Sequence, residues 1–324
     1  MPDRRHLLLG AAATAVLARV AIAQDLGGWP NRAVRIVVPF PPGGPTDIYG
    51  RLLAEHCARA FGQPFVVENR TGGTGAVGTM AVMRSPADGH TLLFTSISGY
   101  TLPVLLLRQP AFDPRTDFAP VSLTIRYPFY LIANPRFRSV AQLVEEAKAR
   151  PGQLNFASPG VGSGGHFCAE RFCLHAGIKA VHIPYTGAAT ALAGLAGGQV
   201  DFQFDSVGNA QAMVQEGRVN GLAITGARRM PVVPAVPTMM ESGYPGFDAD
   251  LWLGLLAPRG TPAPVIAVLN RECDRFLALP QVRQRLHDAA YTPAGGSPEV
   301  FARRIAEDVV EWGEVVRLAG MAVG

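Results

Sequence analysis

Two apolar stretches of this chain each run straight into an uncharged glycine loop that opens a predicted helix, and this repeated unit places the chain among α/β folds. The first is Val34-Arg35-Ile36-Val37-Val38 followed by Pro39-Phe40-Pro41-Pro42-Gly43-Gly44-Pro45. The second is Leu154-Asn155-Phe156-Ala157 followed by the loop from Ser158 to His166. In each, free backbone N–H groups and the positive end of a helix dipole are aimed at one spot, which suits a carboxylate or another small anion. Two such loops facing each other make a cleft.

From Trp29 onward short apolar strands alternate with helical stretches. The pattern predicts strand 34–38, helix 46–61, strand 64–68, helix 75–84 and strand 91–95, the βαβ rhythm of a mostly parallel sheet flanked by helices. Helix 46–61 sets Ile48, Leu52, Leu53, Cys57 and Phe61 on one face, with Arg51, Glu55 and Arg59 between them, and stops at Gly62. The segment 103–120, with four prolines, breaks the rhythm, and the β-rich stretch 121–133 leads into a second series. That series reads helix 139–149, strand 154–157, helix 164–177, strand 181–185, helix 188–196, strand 200–204 and helix 207–216. Strand 221–225, the proline-rich stretch 231–245 and strand 252–257 mark the return, and helices over about 262–279 and 297–318 complete the chain by packing on the first domain. Two crossings between domains imply a hinge.

At 324 residues, 48% apolar and 17% charged, the chain is long enough for two domains with separate cores. Residues 1–23 follow a different pattern: Arg4-Arg5, an apolar run from Leu7 to Ala18, then Ala21-Ile22-Ala23 before Gln24, the layout of a cleavable signal peptide of the twin-arginine or general secretory type. The run is about half the roughly 20 residues that a membrane span needs. A soluble periplasmic protein is therefore expected. Without that segment the net charge falls from +4 to +2, because 29 basic and 25 acidic residues become 26 and 24. Scattered charge of this size is no nucleic-acid footprint. Of the four cysteines, Cys168 and Cys173 fall on different faces of one helix, and buried free thiols are expected, with Cys57 to Cys273 the one pairing left open. No metal-ligand spacing is present, and no cofactor is expected.

Gly43 and Gly44 let backbone approach a ligand closely, as do Gly160, Gly162, Gly164 and Gly165 in the second loop. Ser158 and Ser163 can cap the helix or donate to a ligand. His166 stands at the helix start, where the dipole disfavours protonation, and reads as a neutral hydrogen-bonding group. Asp205 ends an apolar strand, where ligands of open α/β sheets bind, and either accepts from a ligand or caps the helix that follows. Ser96, Ser98, Tyr185 and Thr186 share that strand-end position. Trp252 lines the cleft or packs in the core. Gly160 to Gly165 and Gly73 to Gly78 both satisfy G-x-G-x-x-G, but neither is followed by an acidic residue at the end of the next strand, and no P-loop lysine or G-x-S-x-G occurs.

These segments together resemble the Bug family of periplasmic receptors, the solute-binding proteins of tripartite tricarboxylate transporters. The matching stretches are Val37 to Asp47, Gly62 to Arg70, Ala87 to Leu93, Gly162 to His166, His182 to Gly187, Gly198 to Asp201 and Val236 to Thr238. The resemblance implies a two-lobed venus-flytrap fold, each lobe a mostly parallel sheet flanked by helices, with lobe 1 formed by 24–126 plus 250–324 and lobe 2 by 127–249. It implies capture of a small carboxylate, without a cofactor or catalysis, by a monomer that delivers it to membrane permease subunits. The ligand-binding set so expected is Phe40, Pro42, Gly43, Gly44, Thr46, Asp47, Ser96, Ser98, Ser158, Val161, Gly162, Ser163, Gly164, His166, Tyr185 and Asp205. The chain departs from the family at Thr186, where lysine is frequent. The competing reading is a periplasmic hydrolase or lyase that uses His166 with Asp205.

Overall fold

Val34, Ile36, Val37 and Val38 are buried and β-branched, a composition that favours a strand buried on both faces, and they form β1 (Val34–Val38). Pro45 then stands in the first turn of α1 (Pro45–Phe61), and Gly62 ends it at φ 72°, its N–H returning to Ala58 O. The computed structural model describes residues 28–322; the signal segment expected over 1–23 lies outside them. The first series continues with β2 (Phe65–Asn69), a 3-10 turn (Gly73–Gly75), α2 (Ala76–Met83), β3 (Thr91–Ser96), α3 (Ile97–Leu105) and β4 (Phe118–Ala133). The second comprises α4 (Val140–Ala149), β5 (Asn155–Ser158), α5 (Gly164–Ala176), β6 (Val181–Pro184), α6 (Ala188–Ala196), β7 (Phe202–Ser206), α7 (Val207–Gln215) and β8 (Asn220–Ile224). After β9 (Asp250–Pro258) come α8 (Ala263–Ala278), α9 (Pro280–Asp288), β10 (Thr292–Pro293) and α10 (Pro298–Ala319).

The strands pair in the order β2-β1-β3-β9-β4-β7-β5-β6, and β10 and β8 also pair with β4. β4 joins the two lobes. Its first part runs antiparallel to β9, from Phe118↔Pro258 to Pro128↔Asp250, and its last five residues pair with β7, beginning at Phe129↔Ser206. In lobe 1, β2, β1, β3 and β4 share one direction and β9 and β10 oppose it; in lobe 2, β6, β5, β7 and β8 agree and β4 alone opposes. Both sheets are mostly parallel, and the antiparallel strands are those that cross between lobes or close the chain. Gly226, Pro128 and Asp250 crowd the point where β4 changes partners, and Thr225 ties it there, donating its hydroxyl to Ala249 O at 2.7 Å and accepting Phe129 N–H at 2.8 Å.

Two α-helices go beyond the sequence pattern. The proline-rich segment begins with α3, which contains Pro103, and the chain after Leu279 turns into α9 instead of ending a single helix. Pro103 is tolerated because the carbonyl it leaves without an N–H, that of Gly99, accepts the Thr79 hydroxyl at 3.2 Å. The strand expected over 200–204 lies at Phe202–Ser206, so Asp205 stands inside it.

Each lobe has an apolar cluster of its own, but the largest is shared. It runs from Val37 and Leu93 in lobe 1 to Phe156, Phe202 and Phe204 in lobe 2, beneath Phe301 and Trp312 of α10. The expectation of fully separate cores is thus corrected: α10 packs on β4, α3 and α5 and buries one face in both lobes. Arg171 of α5 is buried against it, 2.5 Å from Glu311, with its guanidinium 5.4 Å from the Trp312 ring. Trp252 belongs to the same core, buried, and donates Nε1–H to Asp308 at 2.7 Å. All four cysteines are buried and free, so Cys57 and Cys273 are not bridged. Among the described residues no helix is long and apolar enough to cross a membrane, and no group of metal-ligating side chains is assembled.

Candidate functional site

The first glycine loop is braced from within. Gly43 has φ 87° with open space where a Cβ would stand, and its N–H donates to Asp47 Oδ2 at 3.0 Å. The Asp47 carboxylate also accepts Asn69 Nδ2 at 2.8 Å and Arg51 Nε at 3.0 Å, and Asn69 reaches on to Phe40 O at 3.0 Å. Burial opposes the Asp47 charge, but the bonds from Arg51, Gly43 and Asn69 outweigh it and hold the carboxyl below its usual range. Asp47 is therefore occupied by its own loop, and Arg51 is held by Asp47 and Asn69.

The helix starts of lobe 1 differ. Thr46 and Ser96 are only 7% and 4% exposed, yet neither hydroxyl has a hydrogen-bond partner among the described residues, and neither has that of the half-buried Ser98. Phe40 lies against α3, where a Cβ on Gly99 would stand 2.5 Å from its Cζ. The turn from Gly72 to Gly75 holds four successive positive φ angles, including 51° at Thr74, and a Cβ on Gly75 would meet Gly99 Cα at 2.8 Å. Pro42 and Gly44 are at the open edge of the loop; a Cβ on Gly44 would meet nothing closer than Pro41 O at 3.9 Å.

In lobe 2 most polar side chains of the loop are spent on holding it. Ser163 caps α5, accepting His166 N–H at 3.4 Å while donating to Gly160 O at 2.7 Å. Ser158 Oγ accepts Gly160 N–H at 3.1 Å and lies 2.7 Å from His182 Nε2. Gly162 donates its N–H to His166 Nδ1 at 3.3 Å, so that ring nitrogen serves the loop as an acceptor. The His166 ring stacks on His182 at 3.8 Å, and His182 stacks in turn on Phe156 at 5.0 Å. Burial, with His166 alongside, lowers the His182 pKa to about 4. The amides of Gly164 and Gly165, in the first turn of α5, have no partner among the described residues.

The lobe 2 loop lies against lobe 1. A Cβ on Gly162 would meet Leu106 Cδ1 at 3.0 Å and Thr74 Cγ2 at 3.9 Å, and one on Gly164 would meet Ser98 Oγ at 3.0 Å, all three from lobe 1. Val161, at the tip of the lobe 2 loop, is 49% exposed. Asp205 is not free to serve a ligand as an acceptor: it is buried and takes Ser206 N–H at 2.7 Å, Gln203 Nε2 at 3.0 Å and Asn209 Nδ2 at 3.1 Å. Burial raises its pKa to about 6 in spite of those bonds. It does not cap α7 either, because Ser206 does. No hydrogen bond or ion pair joins Asp205 to His166 among the described residues, so the dyad of the enzyme reading is not formed. Tyr185 packs on Gly194 of α6, and its hydroxyl donates to Gln199 Oε1 at 3.2 Å. Thr74, Gly99, Leu106 and His182 are the participants that sequence reasoning missed; only the glycine spacing around Thr74 could have pointed to one of them.

The model of the tripartite tricarboxylate transporter family receptor matches residues 49–321. Protein BugT of Bordetella pertussis is 36% identical over 94% of this chain and 94% of its own. Among solved structures, R. palustris Rpa4515 with adipate superposes with a TM-score of 0.81 at 34% identity, covering 91% of this chain and 99% of that one. MatC (Rpa3494) from Rhodopseudomonas palustris with bound malate gives a TM-score of 0.78 at 35% identity, covering 89% and 100%. The fold is that of the periplasmic binding proteins, and the chain belongs to the tripartite tricarboxylate transporter receptor family.

Proposed function

We propose that this chain is an exported receptor that captures a small carboxylate-bearing metabolite between its lobes and hands it, unaltered, to the membrane permease subunits of a tripartite tricarboxylate transporter. Residues 1–23 act as a cleavable signal peptide, and the mature monomer works in the periplasm. The lobes, 24–126 plus 250–324 and 127–249, close about the β4 and β9 crossings. The observation that carries the reading is a division of labour among polar groups. Asp47, Ser158, Ser163, His166 and Asp205 are committed to the protein, whereas the hydroxyls of Thr46, Ser96 and Ser98 and the amides of Gly164 and Gly165 remain free to donate. Donors without acceptors, drawn from both lobes and set at helix starts, suit an oxyanion. The two R. palustris neighbours, solved with adipate and with malate, support a carboxylate as that anion.

Phe40, Pro42, Gly43, Gly44, Val161 and Gly162 shape the walls, and Asp47, Ser158, Ser163 and His166 hold them. Titration of the purified protein with a panel of mono-, di- and tricarboxylates tests the assignment. At least one acid is expected to bind with one-to-one stoichiometry, to raise the melting temperature and to be recovered chemically unchanged. Turnover of the bound acid contradicts it.

A further inference from the structure

We infer that Tyr127 is a ligand-binding residue, whose phenol donates to an oxygen of the acid held between the lobes. This rests on the carboxylate reading above and adds to it a side chain that the sequence did not single out. Tyr127 stands opposite Leu251, where β4 and β9 run side by side from one lobe to the other. The next side chain on that face of β4 is Phe129, with its ring 6.5 Å from that of Tyr127. Leu251 Cδ1 and Phe129 Cζ lie 2.9 and 3.0 Å from a Cβ placed on Gly164, and Ser98 Oγ lies 3.0 Å from it. Toward lobe 1, the Tyr127 ring is 4.7 Å from that of Tyr291, which is 5.7 Å from that of Tyr49, one turn along α1 from Thr46. The row Tyr49, Tyr291, Tyr127 and Phe129 therefore joins the start of α1 to the start of α5, the two ends where unpartnered donors stand.

Within this row Tyr127 is the polar side chain left open. Tyr49 donates its hydroxyl to Arg285 O at 3.3 Å, and Tyr291 is 8% exposed. The Tyr127 hydroxyl has no hydrogen-bond partner among the described residues, and the side chain keeps part of its surface exposed. Burial first, and then the Asp205 charge, raises its pKa above the ordinary value, so the phenol keeps the proton it would donate. A side chain that is partly exposed and yet strongly desolvated lines a crevice, because open water would hold its pKa near the ordinary value. Tyr130, on the other face of β4, supplies a contrast. Its hydroxyl is also without a partner, but it is buried against Gly221. A hydrogen bond from Tyr127 to a charged oxygen is worth about tenfold in affinity or more.

Calorimetric titration of wild type, Tyr127→Phe and Tyr130→Phe with the tightest-binding acid of the carboxylate panel tests the inference. Tyr127→Phe removes a hydroxyl that serves no bond within the protein, so it is expected to keep its melting temperature within about 2 °C and to bind about tenfold more weakly or worse. Tyr130→Phe is expected to bind within about twofold of wild type. Saturating wild type with the acid should also perturb the near-ultraviolet tyrosine absorbance, and that difference spectrum should shrink in Tyr127→Phe. Undiminished binding by Tyr127→Phe, or an equal loss in both variants, overturns the inference and leaves the carboxylate reading in place. Should Tyr127→Phe fail to fold, the wild-type spectrum decides, and a tyrosine signal unmoved at saturation overturns the inference. A wild type that binds no acid of the panel removes the carboxylate reading itself.

Discussion

Single residues divide here into those that build the loops and those left to meet a ligand, and stability and binding should separate along that division. Gly43 is a builder through its φ of 87°, which an alanine adopts only at a cost, so Gly43→Ala is expected to lower stability by about 1 kcal/mol in chemical denaturation. Thr46→Val removes only a free hydroxyl, and is expected to leave the melting temperature within about 2 °C while weakening ligand at least tenfold by calorimetry. His182 links loop building to pH. Its folded pKa of about 4 lies below the ordinary histidine value, so the folded state favours the neutral ring. The stability this brings is fully present above about pH 6.5 and is lost as pH falls toward 4, by an amount on the order of 1–3 kcal/mol. Asp205, with its pKa raised to about 6, works in the opposite direction and is lost as a stabiliser when pH rises through 4 to 6. Comparing the pH dependence of stability in wild type and His182→Phe isolates the histidine: the variant should lose less between pH 6.5 and 4. An identical slope in both proteins contradicts the assignment.

Helices and strands were legible in the sequence where local chemistry alone decides them. Ser163 before a helical pattern, Gly62 after one and the β-branched run of β1 each act within a few residues, and the observed elements follow. What stayed hidden depends on distant partners. Helix α3 survives Pro103 because Thr79, from another helix, takes the stranded Gly99 carbonyl. The stacking of His166 on His182 joins residues from α5 and β6, and the sequence carries no mark of it. Asp205 read as a strand-end ligand group because the hydrogen bonds that occupy it come from Gln203 and Asn209, whose side-chain directions a sequence does not give. Thr79→Val leaves the Gly99 carbonyl without a donor and is expected to cost about 1–2 kcal/mol, measured by denaturant unfolding. Thr79→Ser, which keeps the hydroxyl, should recover most of that loss.

At the scale of the whole molecule the lobes are joined by more than the β4 and β9 crossings. Helix α10 buries one face in both, and the Arg171 to Glu311 pair fixes α5 of lobe 2 against it. Breaking such a pair strands a buried charge, so Glu311→Gln is expected to destabilise by roughly 2 kcal/mol, less than a fully enclosed pair because Glu311 is about a third exposed. The closure proposed above is expected on the loop side, where Gly162 and Gly164 of lobe 2 meet Leu106, Thr74 and Ser98 of lobe 1. Titration of wild type and of Gly164→Val with the tightest-binding carboxylate, followed by recovery of that acid, tests the account most directly. Wild type should bind one equivalent and release it unchanged, and Gly164→Val should lose at least a hundredfold in affinity. Undiminished binding by the variant, or an acid returned as a different compound, would contradict the account.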